Sequence, residues 1–463
     1  IQLSQDGKTI VTGLRHTNAY GPVQLWHRDG KLIRTLIEKG VAIEEQNTPS
    51  IQLSDDGNTI VTNLRFRDSG FYGPVQLWNG DGKLIKTLIE KTKKPEGQTF
   101  TNVNVFLSRN GRTIVTSLQD SEFYGPVQLW NGNGKLIKTL IEKTKKPEGQ
   151  DWIFVPVWLS RDGQAIVTAL RARSTYESIK LWDAQGALRT TLVESGKPSS
   201  IKSFAVKFSQ DSQTLLTVAK ATDNRNFVQL WRSQGTLLKN LVNEKNEGVV
   251  NAMFSSNNTL TSINSQAETI ITAIPDGAVQ LWNTDGSLWH TVIEKLDVDK
   301  QAGRLILSPD RQILAVGVSN KKLQLWDVNG KVLKKTIAHE GFTAGSLFSP
   351  NSQMFASGSF DNTIKLWDRS TNSVLPLTGH TSGATSLNFA PDSKHLASVS
   401  EQGRLILFPL DGLMDLQTWF KRGCQYLSDY LRTSTNKDDR LLCQGYLPAT
   451  PKAANQKSRN LGN

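Results

Sequence analysis

Short runs in which apolar and polar residues alternate recur along most of the chain, each closed by a turn of Gly, Asn or Asp. One stretch shows the plan. Ile51-Gln52-Leu53-Ser54 alternates, and Asp56-Gly57 turns the chain. Thr59-Ile60-Val61-Thr62 is a β-branched run, and a longer connection runs from Leu64 to Gly73. Val75-Gln76-Leu77-Trp78 follows, then Asn79-Gly80-Asp81-Gly82, then Lys83 to Leu88. A period of two gives a strand one buried and one solvated face, and Gly-containing connections of this length make hairpins. The pattern predicts an antiparallel unit of four strands, A to D, with an enlarged B–C connection.

The unit recurs. A Leu-Trp pair closes strand C at Trp26, Trp78, Trp130, Trp182, Trp231, Trp282, Trp326 and Trp367, and Leu407-Phe408 stands there in a ninth unit. The spacings are 52, 52, 52, 49, 51, 44, 41 and 41 residues. Residues 71–98 and 123–150 differ only at Asp81 against Asn133. That identity is internal duplication, so the chain is an array of one repeated unit, each burying its apolar face on its neighbours.

Composition changes this picture little. The chain has 463 residues, and its hydrophobic content of 37% suits strands that are half solvated. No apolar run approaches the roughly 18 residues of a membrane span. The chain opens on Ile1 within a strand pattern, which reads as a fragment or a processed chain. Its two cysteines, Cys424 and Cys443, are too few for a disulfide scaffold and favour a cytoplasmic protein with free thiols, a single tail disulfide being the alternative. The net charge of +12 suits nucleic acid, acidic protein or anionic lipid, or simply solvated loops. Lys91-Thr92-Lys93-Lys94-Pro95 and its copy Lys143 to Pro147 carry part of the excess and are expected in connections after strand D.

The stretch from His339 to His380 resembles a WD40 repeat. Gly379-His380 gives the Gly-His start and Trp367-Asp368 the Trp-Asp finish, with one blade of chain between recurrences. The resemblance covers residues 1 to about 410 and fits the last three units best. It implies an all-β WD40 β-propeller. It also implies a structural relay in which His339, Ser357, Asp361 and Trp367 are hydrogen-bonded. The early units depart from it. The relay Asp position holds Tyr20, Tyr72, Tyr124, Tyr176 and Arg225, then Asp276, Asn320, Asp361 and Gln402. Full relays are therefore expected in one blade, the others relying on apolar packing.

Ring closure sets the domain expectation. The ninth unit has strands A to C and then ends, so it needs a donated strand D. If Lys83 to Leu88 supplies it, units three to nine make a seven-bladed ring over residues 84–410. Residues 1–83 are then two extra units from the end of a truncated upstream propeller. Rings of eight or nine blades are the alternatives. From Asp411 the pattern turns helical, with Leu413, Leu416, Phe420, Cys424, Leu427 and Leu431 forming an amphipathic stripe. Residues 411–463 read as a helical tail with a disordered basic end. The segment around Arg422 to Cys443 resembles the tail after WD repeats in large bacterial, especially cyanobacterial, signalling proteins, which carry an effector or NTPase module upstream.

Catalytic motifs are missing. Gly-x-Ser-x-Gly, Cys-x-x-Cys and His-Glu-x-x-His do not occur. Gly80-Asp81-Gly82-Lys83 resembles the end of a phosphate loop, but it lacks the upstream Gly and the helix and sits at a hairpin. The six histidines are scattered. No cofactor and no metal site is implied. What remains is a surface. The B–C connections of units two to five offer Arg65, Arg67, Phe71, Tyr72, Phe123, Tyr124, Arg171, Arg173, Tyr176, Arg225 and Phe227. Arg and Tyr are frequent at binding hot spots, although Tyr residues leading into strand C also suit packing between blades. The expectation is a non-catalytic platform that recognises a protein or peptide, as the sensor part of a larger bacterial signalling protein. A nucleic-acid-binding propeller and an enzyme with a channel active site are the rival readings.

Overall fold

In a computed structural model, the described residues are 2–15, 20–38, 48–65, 71–72, 74–90, 92–93, 101–120, 123–145, 153–172, 175–193, 201–245, 251–255, 268–274, 277–295 and 305–410. They form strands and turns, with no α-helix. The helical tail expected over residues 411–463 lies outside them, as do Cys424 and Cys443.

Nine antiparallel units follow one another, numbered here as sheets 1 to 9. Sheet 1 is typical: strands Gln2–Leu3, Thr9–Arg15, Tyr20–His27 and Leu32–Ile37 pair in sequence order. Eight units have this four-stranded meander. Sheets 4 and 5 are joined through Tyr176 opposite Ile201, and the ninth has only three strands among the described residues. Trp130, Trp182 and Trp231 all close third strands, Phe123–Asn131, Thr175–Asp183 and Arg225–Arg232. The strands run further than the alternation alone predicts. Strand B of sheet 2 spans Thr59–Arg65, absorbing the start of the expected long connection.

The duplicated basic segments are not plain connections. Thr92–Lys93 pairs with Phe71–Tyr72, and Thr144–Lys145 pairs with Phe123 and Tyr124. A strand C lengthened at its B–C end leaves backbone N–H and C=O groups to satisfy, and the chain leaving strand D supplies partners.

The described residues divide into two compact units, those up to Leu305 and those from Ile306 to Leu410. Within each, successive sheets pack face to face. Between sheets 2 and 3, Val75 and Leu77 meet Val103, Ile114 and Trp130. Between sheets 4 and 5, Ile179 and Leu181 meet Phe204, Leu215 and Trp231. In the second unit, Leu323 and Leu325 meet Phe355 and Trp367, and Ile364 and Leu366 meet Phe389 and Leu396. Most of these aliphatic side chains are wholly buried, each stabilising the fold by about 1.5–3 kcal/mol. Sheet 9 has nothing described beyond it, and Leu405 and Leu407, at positions that are fully buried in sheet 8, are 65% and 60% exposed.

Backbone bonds also tie neighbours together at the A–B turns. Gln5 N–H donates to Asp55 O, Asp55 N–H to Arg109 O, and Arg109 N–H to Arg161 O, at 2.7–2.9 Å. The turns of sheets 1 to 4 share one plan. In sheet 2, Ser54 donates to Asp56, accepts from Thr59 N–H, and Gly57 takes φ +72°.

Candidate partner-binding rim and buried hydrogen-bond links

The pairing register places the A–B turns and C–D hairpins at one end of each sheet and the B–C connections at the other. At that second end, Phe123 and Tyr124 open strand C of sheet 3. Lys143 Nζ lies 4.4 Å from the Phe123 ring centre, a cation over an aromatic face. Tyr124 is half-buried and packs on the core between sheets 3 and 4. In sheet 4, Arg171 lies opposite Tyr176 in the ladder, with its guanidinium 5.4 Å from the Tyr176 ring centre. Tyr176 is 9% exposed and belongs to the core between sheets 4 and 5. It meets Phe204 at 5.9 Å, and Trp158 meets Phe204 edge-on at 5.7 Å. Phe227 packs against the same core, and Arg225 is half-buried at the start of its strand.

The rim residues therefore separate into two groups. Tyr124, Tyr176 and Phe227 serve the cores between sheets. Arg171 and Arg225 stay at the strand ends, half-buried, while Lys143 and Lys145 of sheet 3 are exposed. Arg65 ends strand B of sheet 2 opposite Thr48, and Phe71 and Tyr72 form the short strand noted above. The side chains of Arg65, Phe71 and Tyr72, and the whole of Arg67 and Arg173, lie outside the described residues.

Inside the sheets, the relay is divided among blades. In sheet 8, Asp361 Oδ2 lies 3.0 Å from His339 Nδ1, and Ser357 Oγ lies 2.8 Å from His339 Nε2. A carboxylate only accepts, so Nδ1 carries a proton. In the neutral ring, Nε2 then accepts from the Ser357 hydroxyl. Burial holds His339 below the ordinary imidazole range, outweighing the opposite pull of Asp361. Burial opposes the charge of Asp361. Even so, bonds from the Thr363 hydroxyl, Thr363 N–H and Glu340 N–H hold its carboxyl far below the usual range. Trp367 does not join this set. Its indole N–H donates to Asn372 Oδ1 at 2.9 Å, and Asn372 also bonds Leu333 O and Lys334 Nζ of sheet 7.

Sheets 1 to 6 carry the other half. Trp26, Trp78, Trp130, Trp182, Trp231 and Trp282 donate to Thr12, Thr62, Thr116, Thr168, Thr217 and Thr272 at 2.9–3.1 Å. Each Thr stands where Ser357 stands in sheet 8, opposite the residue two before the Trp. The early sheets are thus held by more than apolar contact. The signal was in the sequence, as a Thr on strand B of each of the first six units. Sheet 7 has Val316 at that position, and Trp326 donates to Gln324 within its own strand. Asp276 lies outside the described residues. The Asn320 carbonyl accepts from the N–H and hydroxyl of Thr343.

Two stretches, residues 330–368 and 371–408, match the family model described as WD domain, G-beta repeat. These stretches are similar to WD40 repeats. Each WD40 match runs from strand D of one sheet through strand C of the next, over sheets 7 to 9, where the histidines at 339 and 380 stand. No curated protein matches the chain. Among solved structures, the C-terminal WD40 domain of Sif2 is 16% identical, with 68% of this chain and 84% of that chain covered and a TM-score of 0.40. At that score the likeness adds nothing to what the sheets and the two WD40 repeats show.

Among the described residues, no group of three or more His, Cys, Asp or Glu is placed to hold a metal ion. No helix there is long and apolar enough to cross a membrane.

Proposed function

We propose that the protein is a WD40-type β-propeller array acting as a non-catalytic platform for protein or peptide recognition. In this reading it is the sensor part of a larger cytoplasmic bacterial signalling protein, with an effector or NTPase module upstream. One observation carries the recognition role. Two WD40 repeats stand at the end of a series of like sheets whose B–C ends gather cations over aromatics, Lys143 on Phe123 and Arg171 on Tyr176. Such groups bind acidic or peptide ligands when desolvated, and nothing in them activates a nucleophile.

The test is a pull-down with the intact chain and a variant in which Arg65, Arg67, Arg171 and Arg173 are all Ala. Partner capture is expected to fall while the melting temperature stays nearly unchanged. Equal loss of both would assign these arginines to the fold. The charge of +12 favours a second reading, nucleic-acid binding. Steep loss of affinity for a random duplex between low and high salt would support it, and a flat response would remove it.

A further inference from the structure

Sheet 9 keeps the His–Ser pair of sheet 8 without the carboxylate. His380 Nε2 lies 2.5 Å from Ser398 Oγ, as His339 Nε2 lies by Ser357. In sheet 8 the carboxylate stands 22 residues after the histidine. At the same step from His380 the chain has Gln402, which is exposed and does not reach the ring. His380 is only 8% exposed, yet its Nδ1 has no hydrogen-bond partner. Ser382 Oγ is also buried and unpartnered. Ser382 stands where sheet 8 has Gly341, and a Cβ on Gly341 would come within 2.6 Å of the Asp361 backbone nitrogen. The orphaned His380 nitrogen therefore faces the place that the Asp361 carboxylate fills in sheet 8, and Ser382 stands by the backbone of the same turn. A buried polar atom without a partner costs about 1–3 kcal/mol, and such atoms are rare enough to ask what satisfies them.

The charge of the surroundings says what would. Arg404 replaces Thr363 and acts on His380 with its positive charge, and the ring is held below its ordinary range by burial and by Arg404. The other charged neighbour is Glu401, at the turn beside Gly383. Thr381, Glu401, Gln402, Gly403 and Arg404 are all exposed, so the orphaned nitrogen lies just beneath the surface.

We propose that sheet 9 binds a carboxylate side chain of an acidic peptide, which takes the place of Asp361 and completes a Ser398–His380–carboxylate relay in trans. The bound carboxylate accepts from His380 Nδ1–H, and in the neutral ring Nε2 accepts from the Ser398 hydroxyl. Arg404 offsets the ligand's charge. No covalent bond changes. The site is distinct from the rim of sheets 2 to 5 and does not depend on it.

The test follows the imidazole resonances of His380 by NMR in the full chain, with His339 as an internal reference. The probes are a short peptide with one Asp, the same peptide with Asn, and acetate. The Asp peptide is expected to shift His380 and to raise its proton affinity about tenfold, leaving His339 unmoved. The Asn peptide is expected to do neither. A response to acetate as strong as to the peptide would assign the site to free carboxylates rather than to a peptide side chain, overturning the choice of ligand. Gln402→Asp supplies the missing group in cis. It is expected to raise the His380 proton affinity unaided and to abolish the peptide response. No response to any probe, or a response that survives Gln402→Asp, would overturn the proposal and leave the nitrogen to a water molecule.

Discussion

The indole N–H of Trp130 donates to Thr116 Oγ1 at 3.0 Å across adjacent strands of sheet 3. Both residues are buried, at 7% and 1% exposed. Replacing Thr116 by the isosteric Val keeps the volume and orphans the donor, so a loss of about 1–3 kcal/mol is expected. Sheet 7 already has Val316 there and Trp326 donates to Gln324 instead, so Val316→Thr only exchanges one acceptor for another and is expected to change stability by less than about 1 kcal/mol. Shifts in the urea midpoint of the two variants check both outcomes.

The A–B turn glycines differ in what surrounds them. Gly7 and Gly111 have φ of +68° and +70°, but a Cβ on Gly7 would meet nothing, whereas one on Gly111 would lie 2.4 Å from Thr59 Oγ1. Gly7→Ala is expected to cost only the left-handed penalty, about 1–2 kcal/mol. Gly111→Ala adds overpacking of about 1–3 kcal/mol. Denaturation of the two variants side by side measures the difference.

Asp55 sits between Arg109 and Arg161, with both contacts at 3.2 Å, linking the turns of sheets 2, 3 and 4. All three side chains are partly exposed. Asp55→Ala is expected to cost less than about 1 kcal/mol, and less still in high salt. A salt-independent loss would show that the carboxylate acts by more than charge.

Acid is expected to loosen sheet 8. His339 has a lowered affinity for protons when folded, so the unfolded chain takes up a proton first as pH falls through the ordinary imidazole range near 6.5. Asp361 is also depressed, so its contribution is complete above the ordinary carboxylate range and is lost as pH falls below about 4. Both groups act in the same direction, and stability rises with pH through both windows. Urea midpoints at pH 7, 5 and 3.5 measure this. Asp361→Asn is expected to flatten the lower window, and His339→Gln the upper one.

The strand order and the place of the tryptophans that close strand C were legible because period-two alternation and Gly turns act over a few residues. The links from tryptophan were not, because a hydroxyl such as Thr116 and an alkyl such as Val316 are equally good strand formers. Only the facing residue decides whether the hydroxyl matters. Asn372 escaped for a similar reason. It reads as a turn residue, and its φ of +52° agrees, yet its amide also holds Trp367 and Leu333. The pairing of Thr144–Lys145 with Phe123 and Tyr124 was hidden because charge suggests solvent, whereas unsatisfied backbone at a strand end recruits whatever chain passes. Likewise the aromatic residues at the B–C ends looked alike in sequence. Depth in the stack separates Tyr176, which fills a core, from Phe123, which carries a lysine.

The backbone bonds running through Gln5, Asp55, Arg109 and Arg161 involve no side-chain atoms. Any residue with an N–H serves there, which is why an amide, an acid and two bases occupy equivalent places. Neighbouring copies after a duplication are thereby free to drift in charge without losing their grip on each other. A scaffold joined in this way can acquire a new electrostatic face one copy at a time.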